Sequence, residues 1–362
     1  MEQEKLSPGL LQTKQHFEIL DGLRGIAAIS VVLFHFMEVA YSNYSQDFIG
    51  HGFLAVDFFF CLSGFVIAYA YDDRIGKMGM AEFFKSRLIR LHPLVILGSV
   101  LGLLAFLFDP FGGHPGAYST GRIIVIFLAS IFMIPFPVVQ DRAFNLFGFN
   151  APAWSLFWEY VANILFAAVL WRAGRQLLFV LTIIAGIVLC TVCYRAGNLM
   201  GGWGKGNEWD GAARVAFSFL AGMLIYRSNW IIKNRLGFIG LAILLFLAFV
   251  SPFSRWNWIV EPLIVIIYFP LLVALGAGAK LADGLKKICI FSGRLSYPLY
   301  MTHYTFIWMF ANYYAANKPG PGKLAIIIGC CTVLLIGFAW LVMLVYDTPV
   351  RAYLSRKRTQ VN

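Results

Sequence analysis

The feature that most constrains this chain is the recurrence of apolar stretches of about 18 to 25 residues between Phe17 and Tyr346, joined by short polar segments. A helix rises about 1.5 Å per residue, so roughly 20 residues cross the ~30 Å of a bilayer's hydrocarbon. At that segment length only a helix satisfies its own backbone in lipid, and the stretches predict an all-α, polytopic membrane helical bundle. The composition agrees, with 60% hydrophobic and 13% charged residues among 362 and a mean hydropathy of +0.74. Soluble domains carry about a quarter charged residues, and a soluble fold is excluded. The candidate spans are 17–41, 52–72, 91–108, 121–139, 153–171, 176–194, 212–230, 236–253, 258–279, 295–313 and 324–346.

Charge then orients them. Arg74, Lys77, Lys85, Arg87 and Arg90 cluster after the second candidate, and basic loops stay in the cytoplasm, which puts the amino terminus inside. If every candidate crossed, Arg172/Arg175, Arg227/Lys233/Arg235, Lys280/Lys286/Lys287 and Arg356-Lys357-Arg358 would all face outward. One re-entrant or interfacial segment within 91–139 restores the rule, giving about ten transmembrane helices with both termini cytoplasmic. The stretch from Asp109 to Gly116 and the pair Pro135/Pro137 make this the natural place for broken helix. On this reading the net charge of +11 reports topology, not nucleic-acid binding. The polar leader holds Glu2 and Glu4 and no cleavage site follows the first apolar run, so it does not read as a removable signal. The six cysteines lie in or beside apolar spans, where thiols pack as small hydrophobes; no disulfide framework and no metal site is expected, Cys190-x-x-Cys193 included.

An ionisable residue inside a span costs about 2.5 kcal/mol or more at a helix centre, so each is a functional candidate until a partner is found. The candidates are Asp21, Arg24, His35, Glu38, Asp57, Glu159, Glu261, His303 and Asp347. Arg24 and His35 are eleven residues apart, three turns plus about 20°, so they share one helix face some 16 Å apart. Arg24 is placed near the cytoplasmic surface and His35 deep in the membrane, either as a packed histidine or as a base. Arg87 and Arg90, three apart, share a face at the mouth of the bundle. Their guanidinium forks suit a polyphosphate ligand or, alternatively, lipid headgroups. Glu159 follows Trp154-Ser155 and is expected near the outer face, orienting a histidine, gripping an acceptor hydroxyl, or bridging two helices.

Leu20-Asp21-Gly22-Leu23-Arg24-Gly25 with His35, and the run from Gly52 through Asp57 to Ser63-Gly64, resemble the acyltransferase-3 family of membrane O-acyltransferases. Phe84-Lys85-Ser86-Arg87-Leu88-Ile89-Arg90, Trp154-Ser155-Leu156-Phe157-Trp158-Glu159 and Ser296-Tyr297-Pro298-Leu299-Tyr300-Met301-Thr302-His303 extend the resemblance in the same order. It implies transfer of an acyl group, often acetyl, from cytoplasmic acyl-CoA to a hydroxyl of an extracytoplasmic carbohydrate or glycolipid, in a bacterial inner membrane. The family's essential arginine and histidine correspond to Arg24 and His35, and its donor-associated arginine pair to Arg87 and Arg90. With these, the expected catalytic set is His35, Glu159 and Arg24, and the expected acetyl-CoA contacts are Arg87, Arg90 and Arg24. The acceptor would meet Trp154, Ser155, Asp57 and His303; no metal and no nucleic acid take part. The expected layout is a cytoplasmic leader over 1–16, a membrane acyltransferase domain over 17–346 and a basic cytoplasmic tail over 347–362, with no fused esterase-like domain of the kind some relatives carry. The rival from another class is a transporter or flippase in which His35, Glu159, Glu261 and His303 relay protons.

Overall fold

The computed structural model describes residues 16–112 and 115–361. The leader expected over 1–16 therefore lies, apart from His16, outside the described residues. The described chain is mostly helical, with no strand among the described residues. Its main helices are α1 (Glu18–Ala40), α2 (Ala55–Tyr71), α3 (Met80–Phe108), α4 (Thr120–Ile131), α5 (Ala153–Ala168) and α6 (Arg175–Ala196). They are followed by α7 (Glu208–Arg227), α8 (Gly237–Phe249), α9 (Asn257–Gly278), α10 (Lys286–Asn317), α11 (Pro321–Val342) and α12 (Thr348–Val361). Six helical stretches are long and apolar enough to cross a membrane: α1, α2 with the turn before it, α3, α6, α9 and the α11–α12 run. This is an integral membrane protein. Large apolar side chains stand outward along its helices, as Leu177, Val180, Ile183, Ile184, Ile187 and Val188 do on α6. Lipid is the solvent that such a face fits.

Local chemistry sets the ends. Ser119 caps α4 by accepting from the Arg122 N–H, and Pro321 opens α11, where its missing donor is harmless. Gly197, with φ +78°, ends α6 in the left-handed conformation that L side chains avoid. Two helices are longer than the apolar pattern marked: α3 starts at Met80 and α10 at Lys286, so the polar turns carrying Arg87, Arg90 and Arg294 are helical. Two are shorter. The 121–139 candidate forms only the twelve-residue α4 before irregular chain to Pro152, and α8 has thirteen residues. In the irregular segment Met133, Ala143 and Phe144 all adopt positive φ.

The helix ends fall into two groups. Arg227, at the end of α7, forks onto Asp72 after α2 at 2.8 and 2.9 Å and donates to the Leu170 and Ala173 carbonyls after α5. Lys286 pairs with Glu18 at 3.0 Å and Arg358 with Glu82 at 2.7 Å. In the other group, Tyr314 donates to the Ala40 carbonyl, Asn312 to Asp109, and His51 meets Ser251 and Glu261. Tyr118, just before α4, and Arg122, in its first turn, contact the chain at 138–140, so this hairpin leaves and returns to one group.

Close helix contacts position the site. A Cβ at Gly64 would collide with the Phe219 carbonyl oxygen and one at Gly222 with that of Cys61, so α2 and α7 touch backbone to backbone. On the other flank of α1, a Cβ at Gly25 would lie 2.5 Å from Ser292, and one at Gly293 2.5 Å from Asp21, pressing α1 onto α10.

Candidate active site

The α1–α10 contact fixes Arg24. Its Nε donates to Ser296 Oγ at 2.9 Å and Nη2 to the Gly293 carbonyl at 2.6 Å, while Asp21 stands 3.3 Å away. From there Arg24 lines a cavity of about 200 Å³ with Arg87 and Arg90 of α3, Ser63 of α2, Glu159 of α5 and Tyr297 and Tyr300 of α10. Arg87 Nη2 lies 3.1 Å from Glu159 Oε1, which also accepts from Ser63 Oγ at 2.9 Å. Arg90 has no ion pair and no side-chain hydrogen bond among the described residues. The cavity thus holds three guanidinium groups and one lining carboxylate, a surplus suited to an anion.

Of the roles expected of Glu159, the structure shows it bridging helices, from α5 to α2 and α3. Its carboxylate meets Arg87 and Ser63, while His35 pairs with Glu38. Five residues of α5, leaving the two about 140° apart round the helix, turn it away from Trp154, which lines a different cavity. Of the residues expected at the acceptor, Ser155 lines the arginine cavity together with Glu159, and Trp154 lines the other.

His35 takes its carboxylate from its own helix. Its Nδ1 lies 2.7 Å from Glu38 Oε2, the two being part-buried three residues apart. The Nδ1–H donates, and Nε2 is left as the basic nitrogen. The ring packs parallel to His303, 5.4 Å between centroids, and edge-on to Tyr304 at 4.7 Å. His303 is fully buried, and its Nδ1 faces the Tyr300 carbonyl at 2.8 Å, so that nitrogen carries the proton. His303 therefore supports the His35 ring from behind.

His35 and Glu38 line a second cavity, of about 280 Å³, with Trp154, Trp203, Trp308, Arg142 and Arg214 among its walls. Arg142 comes from the irregular segment after α4 and stacks on Trp308, its guanidinium carbon 3.9 Å from the ring centroid. Burial pulls its pKa down to about 10, so it remains a cation at neutral pH. Among the described residues it has no ion pair within 4 Å. Sequence reading passed over Arg142 because it lies between candidate spans; Pro135 and Pro137 were the only nearby signal.

The two cavities share a wall. Tyr300 and Val56 line both. Ser155 Oγ donates to the Pro152 carbonyl at 3.0 Å, so at 2.8 Å it accepts from the Tyr300 hydroxyl. A phenol pinned in this way stands between the arginine cavity and the histidine cavity.

Asp57, expected at the acceptor, lies instead in a buried pair. It is fully buried, and Arg214, 1% exposed, reaches it with Nε at 3.1 Å and Nη2 at 2.6 Å. Arg214 also donates to the Gly201 and Phe53 carbonyls. Sequence reading also missed Arg214, which sits in the first turns of a candidate span and balances Asp57. Glu261, a member of the rival proton relay, is likewise taken up by His51, 3.4 Å away, and by the Leu199 N–H. Among the described residues no three His, Cys, Asp or Glu side chains converge as metal ligands.

Fold and site together define a helical membrane protein with a cationic cavity and a carboxylate-held histidine cavity back to back. The family whose description reads acyltransferase domain matches residues 17–344, and the chain belongs to that family. It is similar to the O-acetyltransferase OatA of Staphylococcus aureus (strain MRSA252), 25% identical over 94% of this chain and 59% of the relative. The peptidoglycan O-acetyltransferase OatA of Listeria monocytogenes is 26% identical over 82% of this chain and 50% of its own length. The chain thus spans between half and three fifths of these two proteins. A third relative, protein 2 in the picA locus of Rhizobium radiobacter, is 32% identical over 48% of this chain and 94% of its own. No solved structure matches the chain.

Proposed function

We propose that this protein transfers an acyl group, acetyl in the first instance, from cytoplasmic acyl-CoA to a hydroxyl of an extracytoplasmic cell-envelope carbohydrate. The observation that carries the reading is the pair of cavities sharing Tyr300, one supplying guanidinium groups and the other the His35–Glu38 pair. The names of the Staphylococcus and Listeria relatives favour acetyl as the group and peptidoglycan-like carbohydrate as the acceptor.

In this reading the membrane is crossed ten times, with both termini cytoplasmic in a bacterial inner membrane. Helix α4 is the segment that does not cross, since the chain on its two sides meets at Arg122–Val138 and Tyr118–Gln140. The group of helix ends containing Arg227, Lys286 and Arg358 is then cytoplasmic, in keeping with its charge. The arginine cavity takes the donor from that side. Arg24, Arg87 and Arg90 bind its phosphates or polarise its thioester, and Glu159 holds Arg87 in place. The acceptor enters from the other side against the indole faces of Trp154, Trp203 and Trp308, with Arg142 as the cation beside it.

The chemistry then follows from the Nδ1–H···Glu38 bond. His35 Nε2 removes the acceptor hydroxyl proton as the oxygen attacks the thioester carbon; the C–S bond breaks, and the imidazolium returns that proton to the coenzyme thiolate. The alternative route has Nε2 attack the thioester carbon and expel the coenzyme thiolate, forming an acyl-imidazole; the acceptor oxygen then takes the acyl group, the C–N bond breaks to restore His35, and the hydroxyl proton passes to the thiolate. Glu38 serves both by fixing the tautomer and stabilising positive charge on the ring. Ser155 and His303 orient Tyr300 and His35, and Asp57 acts on the structure through Arg214.

The test is saturable thermal stabilisation of the purified protein by acetyl-CoA, compared between wild type and the Arg87→Ala/Arg90→Ala variant. Transfer of labelled acetyl to peptidoglycan fragments follows, with His35→Ala as control. Stabilisation lost with the arginine pair is expected; labelled transfer that survives His35→Ala would overturn the assignment of the base.

A further inference from the structure

A third cavity, of about 330 Å³, lies beside the arginine cavity, on the side of the cytoplasmic helix ends. Its walls are Arg90 of α3, Arg294 of α10, and Asp347, Thr348, Arg351 and Ser355 at the junction of α11 with α12. Arg90 lines both cavities, so one guanidinium joins them. The junction is not regular helix. Residues Met343–Asp347 form a single π turn, which offsets α12 from α11 and brings Asp347 and Arg351 onto the face that meets α3. Tyr346 donates to the Pro93 carbonyl at 3.1 Å, and Arg358 reaches Glu82, so α12 is held along α3 at two points.

The charge in this cavity is unbalanced. Arg351 has Asp347 as its partner at 3.0 Å. Arg90 and Arg294 have no ion pair and no side-chain hydrogen bond among the described residues, although Arg90 is drawn inward between helices. A lone basic residue at a membrane surface is an ordinary headgroup anchor. Three guanidinium groups from three helices, converging on one concavity with one carboxylate already committed, fit a phosphate ester.

Building on the donor reading above, we propose that this cavity binds the phosphorylated nucleotide end of the acyl donor. The 3′-phosphate of coenzyme A would meet Arg294 and Arg351, and Arg90 would bridge toward the thioester arm in the neighbouring cavity. The same phosphate chemistry occurs in an anionic lipid headgroup of the inner leaflet. Continuity through Arg90 with the cavity that leads to Tyr300 favours the donor.

The experiment compares coenzyme A, 3′-dephospho-coenzyme A and pantetheine as stabilisers of the detergent-purified protein, then repeats the comparison in Arg294→Ala and Arg351→Gln. Arg294 is exposed and unpaired, so its removal leaves the fold intact, and glutamine at 351 retains a donor for Asp347. Wild type is expected to prefer coenzyme A over the dephospho form by about tenfold, the size of a charge-assisted contact, and both variants to lose most of that preference with pantetheine binding unchanged. A wild type that binds the two coenzymes equally overturns this subsite and leaves the donor reading standing. Absence of any coenzyme A binding overturns both. Variants that keep the preference for coenzyme A, but lose stabilisation by phosphatidylglycerol in nanodiscs, assign the cavity to lipid and overturn the proposal.

Discussion

Replacing Asp57 by alanine distinguishes a buried structural carboxylate from one that touches substrate. In the folded protein Arg214 spends its Nε and Nη2 on Asp57, at distances from 2.6 to 3.2 Å, and keeps only the Gly201 and Phe53 carbonyls when Asp57 is removed. Both side chains are 1% exposed or less, so bulk solvent compensates the lost partner poorly. Removing one member of such a pair leaves an uncompensated charge and costs about 3–5 kcal/mol. That is a large share of the roughly 5–15 kcal/mol by which folded proteins are stable. Asp57→Ala should therefore lower the thermal midpoint steeply and reduce the yield of monodisperse protein. The double variant Asp57→Leu/Arg214→Met, which removes both charges and fills the space, should recover most of the loss. Fluorescence-detected size exclusion against temperature reads all three proteins. The reasoning is refuted if Asp57→Ala keeps the wild-type midpoint while acetyl transfer collapses, for then the carboxylate acts on substrate.

Three further outcomes follow. Glu38→Gln keeps an acceptor at the His35 Nδ1–H but removes the negative charge, and should cut acetyl transfer by about ten- to a hundredfold with little change in the thermal midpoint; an unchanged turnover rate would remove Glu38 from the mechanism. Gly222→Ala must push α7 off the Cys61 carbonyl and should destabilise by about 1–3 kcal/mol, measured by thermal unfolding, with Gly64→Ala behaving alike. Asp47, in the loop before α2, is pushed up by burial, with Glu38 adding to the rise, from 3.8 to about 6. The folded state then binds the extra proton, so Asp47 lowers stability as pH rises from about 4 to about 6 and its penalty is complete above that. Asp47→Asn, which keeps the oxygen that accepts from the Ile49 N–H, should raise stability at pH 7 by about 2 kcal/mol and leave pH 4 unchanged. Equal midpoints for the two proteins at pH 7 would contradict this.

The sequence by itself determined what is set by solvent and by helix period. Long apolar stretches are helices because lipid offers the backbone no other partner, and that held for α1, α2, α3, α6, α9 and α11. Irregular chain within 91–139 was legible from its prolines and glycines, because proline withholds a backbone donor whatever surrounds it. The arginines at 24, 87 and 90, which the structure gathers round one cavity, stood out in the sequence because charge beside hydrocarbon needs a partner or a ligand.

What only the tertiary structure decided is which groups face one another. Three residues on one helix placed Glu38 on His35, a pairing the helix period allows and does not require. Five residues along α5, about 140° round the helix, separated Trp154 from Glu159 and gave them to different cavities. Arg214 became the partner of Asp57, 157 residues away in the chain, because Gly64 and Gly222 let α2 and α7 touch. Tyr300 became a shared wall only once α5 brought Ser155 against α10. Contacts of this kind depend on helix rotation and on approach distance, and those are set by packing among small residues far apart in the chain, which no local pattern records.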